Sequence, residues 1–297
     1  MSADRGYKVA VCGATGAVGR EMLRILEERC FPVSGLVLLA SERSAGERIT
    51  YCDQEILVEA LSAHSFRGVD LALFSAGGEV SGKFAPVAAE SGCIVIDNTS
   101  AFRMDPEIPL VVPEVNPDAI AGYHRRGIIA NPNCSTIQMV VVLKPIEDAA
   151  RIRRVVVSTY QSVSGAGHKG IRELEQQCLG VFNLRPIECV QFPVQIAFNC
   201  LPQIAGFEPD GYSAEEHKMM NETRKILGRD DLGISATTVR VPVFYCHAET
   251  VNVECERPLP VDEVRALLGR APGVRVVDDP DGQRYPTGLD AAGIDDT

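Results

Sequence analysis

Cys134 follows Asn131-Pro132-Asn133 and opens an apolar run from Ser135 to about Ala149 that suits a helix. The Asn-Pro step resists helix, so the thiol falls at the helix N-terminus, where the macrodipole lowers its pKa toward neutral. A reactive, nucleophilic thiolate is made in this way. By its local setting alone, Cys134 could equally be structural. A second segment, Arg240-Val241-Pro242-Val243-Phe244-Tyr245-Cys246-His247, places an arginine at one end of a buried-looking strand and a histidine seven residues later. An imidazole titrates near neutral pH, although a lone histidine is more often structural. A third, Thr159-Tyr160-Gln161-Ser162-Val163-Ser164-Gly165-Ala166-Gly167, ends a strand in a flexible polar turn that could approach a nicotinamide or be only a loop. The charged segment from Glu215 to Arg224 reads by itself as a helix with a solvated face.

A separate constellation lies at the N-terminus. Val9 to Cys12 reads as a strand, and Gly13-Ala14-Thr15-Gly16-Ala17-Val18-Gly19 as a glycine-punctuated turn that opens a helix. Glycines at 13, 16 and 19 allow a tight turn, close approach of backbone to a pyrophosphate and close helix packing, and the helix N-terminus offers N–H groups to the anion. At the end of the second strand, where an NAD-preferring fold places an acid, stands Ala40-Ser41-Glu42-Arg43-Ser44. Ser41, Arg43 and Ser44 fit a cradle for a 2′-phosphate, which favours NADP, provided Glu42 points away; otherwise the stretch is a solvated turn.

Two architectures are needed to hold these groups. From Tyr7 to about Ala130, continuous apolar runs (Lys8 to Cys12, Val33 to Leu39, Leu71 to Phe74, Cys93 to Asp97) alternate with helical patterns (Arg20 to Glu28, Gly82 to Glu90). That alternation predicts a Rossmann-type, doubly wound parallel sheet in an α/β domain over 1–131. Over 132–297 the texture changes. Longer β-rich runs at Arg153 to Tyr160, Ile234 to Val243 and Thr250 to Glu254, with helices near Gly170 to Gln177 and Ala214 to Leu227, predict an α+β domain on a mixed or antiparallel sheet, to which the family resemblance given below adds the catalytic and dimerisation role.

Composition narrows the classes. A chain of 297 residues exceeds the usual size of one core, in keeping with two domains. A net charge of −11 argues against a nucleic-acid partner, because phosphate backbones are held by surplus Lys and Arg. No apolar run is long enough to span a bilayer, and Met1 to Lys8 lacks a signal-peptide layout, so the expected location is cytoplasmic. Ten scattered cysteines without a CxxC pair indicate neither a metal site nor a disulfide framework.

Taken in order, the Gly13 to Gly19 loop, Ser41 to Gly46, Ser100-Ala101-Phe102-Arg103, Asn131 to Thr136, Gln161 to Gly167, Asn221 to Ile226 and Arg240 to His247 resemble the motifs of the aspartate-semialdehyde dehydrogenase family. The resemblance runs from about Lys8 to the C-terminus. It implies NADPH-dependent reductive dephosphorylation of L-aspartyl 4-phosphate through a cysteine thioester, in lysine, threonine and methionine biosynthesis, by a homodimer. It further implies Cys134 as nucleophile, His247 as acid/base, Gln161 orienting the reacting carbon and Arg240 holding the substrate carboxylate. Arg103, Asn133 and Lys218 would bind phosphate, and Glu215 would place the substrate amine or Lys218. Thr15, Gly16, Ala17, Val18, Arg43, Ser44, Ser164 and Gly165 would contact NADP. The alternatives are an N-acetyl-glutamyl-phosphate reductase, which shares the thioester chemistry, and a non-catalytic nucleotide-binding paralogue. The family continues past the segment resembling Tyr285 to Gly293 with a strand and helix returning to the nucleotide domain, whereas this sequence ends at Thr297. The expectation is therefore an active-family sequence that is cut short.

Overall fold

A computed structural model describes residues 6–294, so part of the N-terminal segment read for a signal peptide and the chain end at Thr297 lie outside the described residues. The chain divides between Pro132 and Asn133 into two compact units.

The first unit is built on β1 (Tyr7–Cys12), β2 (Val33–Ala40), β3 (Arg48–Tyr51), β4 (Gln54–Ala60), β5 (Leu71–Phe74), β6 (Ile94–Asp97) and β7 (Ile128–Ala130). Two helices belong to it, α1 (Ala17–Glu28) and α2 (Gly78–Glu90). Its sheet runs in the order β3-β4-β2-β1-β5-β6-β7, parallel throughout except for the antiparallel edge pair β3 and β4. This is the expected doubly wound arrangement with an added hairpin. In α1, the spacing of Gly19, Met22, Leu23 and Leu26 forms one apolar stripe, which packs with Val9, Val11, Leu38 and Ile49. From β1 the chain moves to β2 on one side and later to β5 on the other, so the crevice at the carboxyl ends of β1 and β5 is the topological switch point. The glycine loop stands there.

In the second unit the helices are α3 (Cys134–Ala150), α4 (Gly167–Phe182), α5 (Ala214–Leu227), α6 (Val261–Leu268) and a short α7 (Gly288–Ala291). The strands are β8 (Ile152–Gln161), β9 (Gly233–Arg240) and β10 (Ala248–Cys255), ordered β10-β8-β9. The sheet is mixed: β8 runs parallel to β9 and antiparallel to β10. One face of it, through Val155, Val157, Ile234 and Ala236, packs on Met139 and Leu143 of α3 and Met219 of α5. The strand expected over Ile234 to Val243 stops at Arg240, just before the Val241-Pro242 step, because a proline cannot donate to a ladder.

The charged segment over Glu215 to Arg224 departs from its reading as a solvated face. Glu215, Glu216 and Glu222 of α5 are all buried. Ser213 caps the helix in a reciprocal box with Glu216, whose carboxylate also accepts the Thr238 N–H at 2.8 Å and so ties α5 to β9. Buried carboxylates persist because each has such donors.

Candidate active site

In the first unit, the glycine loop is shaped by backbone contacts. Gly13 has φ +91°, and its N–H donates to Leu39 O at 2.8 Å. A Cβ on Gly19 would lie 2.2 Å from Gly13 O, so only glycine lets α1 pack this closely on the turn. The N-cap, Gly16, brings no side chain to the helix start, and the first N–H groups of α1, around Ala17 and Val18, have no partner within the helix. Thr15, Gly16, Ala17 and Val18 therefore fit a dinucleotide pyrophosphate. Ser41 precedes a single 3-10 turn, Glu42–Ser44, without a side-chain capping bond, and Arg43 lies on the surface just after β2 with Ser44 beside it. Arg103 also belongs to this unit, where its Nη2 donates to Asn98 O at 3.0 Å.

The second unit gathers Asn133, Cys134, Gln161, Glu215, Lys218, Arg240 and His247. Cys134 is the first residue of α3 and is exposed. Asn133 is the N-cap, its Oδ1 accepting from the N–H groups of Ser135 (3.0 Å) and Thr136 (3.3 Å). Its own N–H donates to Glu222 at 2.6 Å and its Nδ2 to Glu215 at 2.7 Å. The residue before the thiol is thus anchored by four hydrogen bonds, which use one of the two amide hydrogens of Asn133. Glu215 receives Lys218 on its other oxygen at 3.1 Å.

Alternation along the strands stacks the sheet residues in rows. Gln161 pairs with Arg240 across β8 and β9, and the row below holds Glu249, Thr159 and Thr238. Gln161 is 1% exposed and its Nε2 has no hydrogen-bond partner among the described residues. Arg240 is buried, with Nη1 donating to Ser162 O at 2.6 Å. Burial pulls its guanidinium below its ordinary range, opposed by the charges of Glu215 and of Cys134. His247 is pulled down to about 4, first by burial and then by Arg240, with Glu215 opposing, so the resting imidazole is neutral. The short 3-10 turn Val163–Ala166 lies against both residues: a Cβ on Gly165 would be 2.9 Å from Arg240 Nη1 and 3.4 Å from His247 Nε2. Ser164 belongs to the same turn, so both second-unit residues expected at the cofactor stand beside the imidazole.

Sequence reasoning missed Glu222, Ser162 and Glu249. Glu222 had a signal, since Glu215, Lys218 and Glu222 recur at helical spacing on one face. Glu249 had none. Its Oε1 is sealed from solvent without a hydrogen-bond partner among the described residues, and burial pushes its carboxyl up to about 8, with the Gln138 side chain as a weaker opposing influence. The folded chain therefore holds a proton that the unfolded chain releases above the ordinary carboxylate range. Stability falls as pH rises between that range and about 8, then levels. Glu249→Gln, which imitates the protonated form, is expected to stabilise the fold, with a gain that grows between about pH 5 and about pH 8.5 in urea unfolding. A gain constant with pH would refute the assignment.

An α/β dinucleotide-binding unit, and a unit that opens a helix on an exposed cysteine beside a buried arginine and a neutral imidazole, define the class of nicotinamide-linked oxidoreductases that work through a thiol. Residues 8–123 match the family model described as "Semialdehyde dehydrogenase, NAD binding domain", and residues 143–297 the "Semialdehyde dehydrogenase, dimerisation domain". The aspartate-semialdehyde dehydrogenase of Aquifex aeolicus is 54% identical over 293 residues, covering 98% of this chain and 86% of the relative. A crystal structure of aspartate semialdehyde dehydrogenase II from Vibrio cholerae complexed with ASA superposes with a TM-score of 0.95 at 51% identity, covering 98% of this chain and 86% of that one. The Candida albicans enzyme with NADP superposes at 0.68 and 25% identity, covering 89% and 76%. The chain belongs to the aspartate-semialdehyde dehydrogenase family.

Proposed function

We infer that the chain catalyses NADPH-dependent reductive dephosphorylation of L-aspartyl 4-phosphate to L-aspartate 4-semialdehyde, in lysine, threonine and methionine biosynthesis. Besides the family, the observation that carries this reading is the capped start of α3, which presents an exposed Cys134 in the unit that also holds the buried Arg240. Cys134 attacks the acyl carbon as the thiolate, the carbon–oxygen bond to phosphate breaks, and phosphate leaves with the bonding pair. Gln161 Nε2, without another hydrogen-bond partner among the described residues, is a donor for the acyl oxygen. Arg240 holds the substrate carboxylate through its planar fork. Asn133, Lys218 and Arg103 bind the phosphate, and Glu215, in contact with both Asn133 and Lys218, positions that lysine. Bound NADPH supplies the hydride that reduces the thioester carbonyl. The carbon–sulfur bond of the resulting adduct on Cys134 then breaks, returning the electron pair to sulfur and releasing the aldehyde.

Thr15 to Val18 hold the pyrophosphate, Ser41, Arg43 and Ser44 the 2′-phosphate, and Ser164 with Gly165 the nicotinamide end. Exposed apolar side chains on one unit, including Leu179, Phe182, Leu184 and Phe198, support a homodimer through the dimerisation domain. No helix among the described residues is long and apolar enough to cross a membrane. Exposed free thiols at Cys30, Cys52, Cys189 and Cys200 suit a reducing compartment, which we take to be the cytoplasm.

The test is NADP reduction by the purified protein with L-aspartate 4-semialdehyde and inorganic phosphate. The expected rate depends on both and is absent with N-acetyl-glutamate 5-semialdehyde. No rate, or an equal rate with the acetylated compound, would overturn the reading.

A further inference from the structure

Acid/base work by His247 requires Nε2 to accept a proton, and the two ring nitrogens are served differently. The backbone N–H of Ser162 donates to Nδ1 at 3.0 Å. While that bond stands, Nδ1 is an acceptor and the single proton of the neutral ring sits on Nε2. In this state His247 is a hydrogen-bond donor toward reacting groups and cannot take a proton there. To act as a base at Nε2, the ring must carry its proton on Nδ1, and a backbone N–H cannot accept it.

The acceptor within reach is the Ser162 hydroxyl, 3.1 Å from Nδ1 and 2.8 Å from Ser164 Oγ. Ser162 itself is fully buried. Its peptide is held by Arg240 Nη1 on the carbonyl, and the turn after it by Val163 N–H to Val243 O at 2.9 Å and Ser164 N–H to Phe244 O at 3.1 Å. A fixed oxygen whose own hydrogen has a second acceptor in Ser164 can receive the Nδ1 proton, the Ser162 N–H giving up its acceptor in that state.

We propose that Ser162 is a positioning residue for the reaction inferred above, its hydroxyl selecting the tautomer of His247. With Ser162 N–H on Nδ1, the ring presents Nε2–H to the acyl oxygen. With Nδ1–H on Ser162 Oγ, and the serine hydrogen turned to Ser164 Oγ, Nε2 presents a lone pair. It then takes the Cys134 thiol proton before sulfur attacks as the thiolate, giving an imidazolium bonded to Ser162, and returns that proton to sulfur after the aldehyde has left. The charged groups acting on His247 are Arg240 from β9, which opposes the imidazolium, and Glu215 from α5, which favours it. Neither touches Nδ1 in a recorded hydrogen bond, so the serine oxygen is the local group that distinguishes the tautomers.

The test compares wild type, Ser162→Ala and Ser162→Thr in the full chain by steady-state kinetics and by 15N shifts of selectively labelled histidine. With five histidines in the chain, individual assignment is practical. Ser162→Ala is expected to lower kcat by about a hundredfold, the scale of general acid–base catalysis, with little change in KM for the semialdehyde or in NADPH affinity. Its His247 nitrogens should report only the Nε2–H form across the pH range in which wild type shows a mixture. Ser162→Thr, which keeps the hydroxyl, should restore both the mixture and most of kcat. Wild-type shifts in Ser162→Ala, or a lost kcat with an unchanged tautomer ratio, would overturn the proposal. Since the shifts need no turnover, an inactive wild type would reject the reaction while leaving the tautomer result to be read separately.

Discussion

Cys134→Ala is expected to reduce turnover by about four orders of magnitude or more while leaving the fold and NADPH affinity nearly unchanged. Removing the nucleophile from a covalent mechanism eliminates the pathway, and what remains is the weak catalysis of bound, oriented reactants. The structural reason for intact folding is specific to this site. The helix cap is supplied by Asn133, whose bonds to Ser135, Thr136, Glu215 and Glu222 do not involve the thiol. The Cys134 side chain is exposed, and alanine is a good helix former at that position. Initial rates, unfolding midpoints and NADPH titration test the three parts of the claim. Substantial turnover by the alanine protein would remove the thioester from the mechanism.

Arg240 is expected to give the second largest effect, and two substitutions separate its charge from its shape. Arg240→Lys keeps a cation but loses the planar fork and the bond to Ser162 O, so kcat/KM should fall by about a hundredfold, equivalent to about 3 kcal/mol for a charge-assisted pair. The loss should fall mainly on KM. Arg240→Met removes the charge as well. Because Arg240 is one of the causes holding His247 down at about 4, the imidazole in this variant should titrate closer to its ordinary value, whereas in the lysine variant it should stay low. Histidine shifts against pH measure this directly. Equal titration in both variants would show that burial alone depresses His247 and that the Arg240 charge has no part in its chemistry.

Much of the fold was readable from local pattern. The strand, glycine turn and helix at Val9 to Glu28 are consecutive, and their physics is local: each glycine answers a backbone constraint within the same turn. The Asn-Pro step ahead of Cys134 likewise set the helix start without reference to the rest of the chain. The β3–β4 hairpin was not legible. Its two-residue turn, Cys52-Asp53, has φ +46° and +61°, values that sequence reading associates with Asn-Gly or Asp-Gly, and a cysteine there gives no such signal. The burial of α5 was misread because a charged helix face looks solvated until its partners are known, and those partners are an asparagine 82 residues away and a backbone N–H 89 residues away.

The sequence by itself determined that a nucleotide loop opens the chain, that Cys134 stands at a helix start, and which family's motifs it carries in order. Each of these rests on neighbouring residues, where spacing alone sets geometry. Only the tertiary structure decided that Gln161 and Arg240 share a row, that Glu215 serves both Asn133 and Lys218, and that Ser162 meets the imidazole of His247 across 85 residues of chain. These depend on strand register and on the burial of helix faces, which arise when distant segments pack, and a buried polar group takes its role from whichever partner that packing provides.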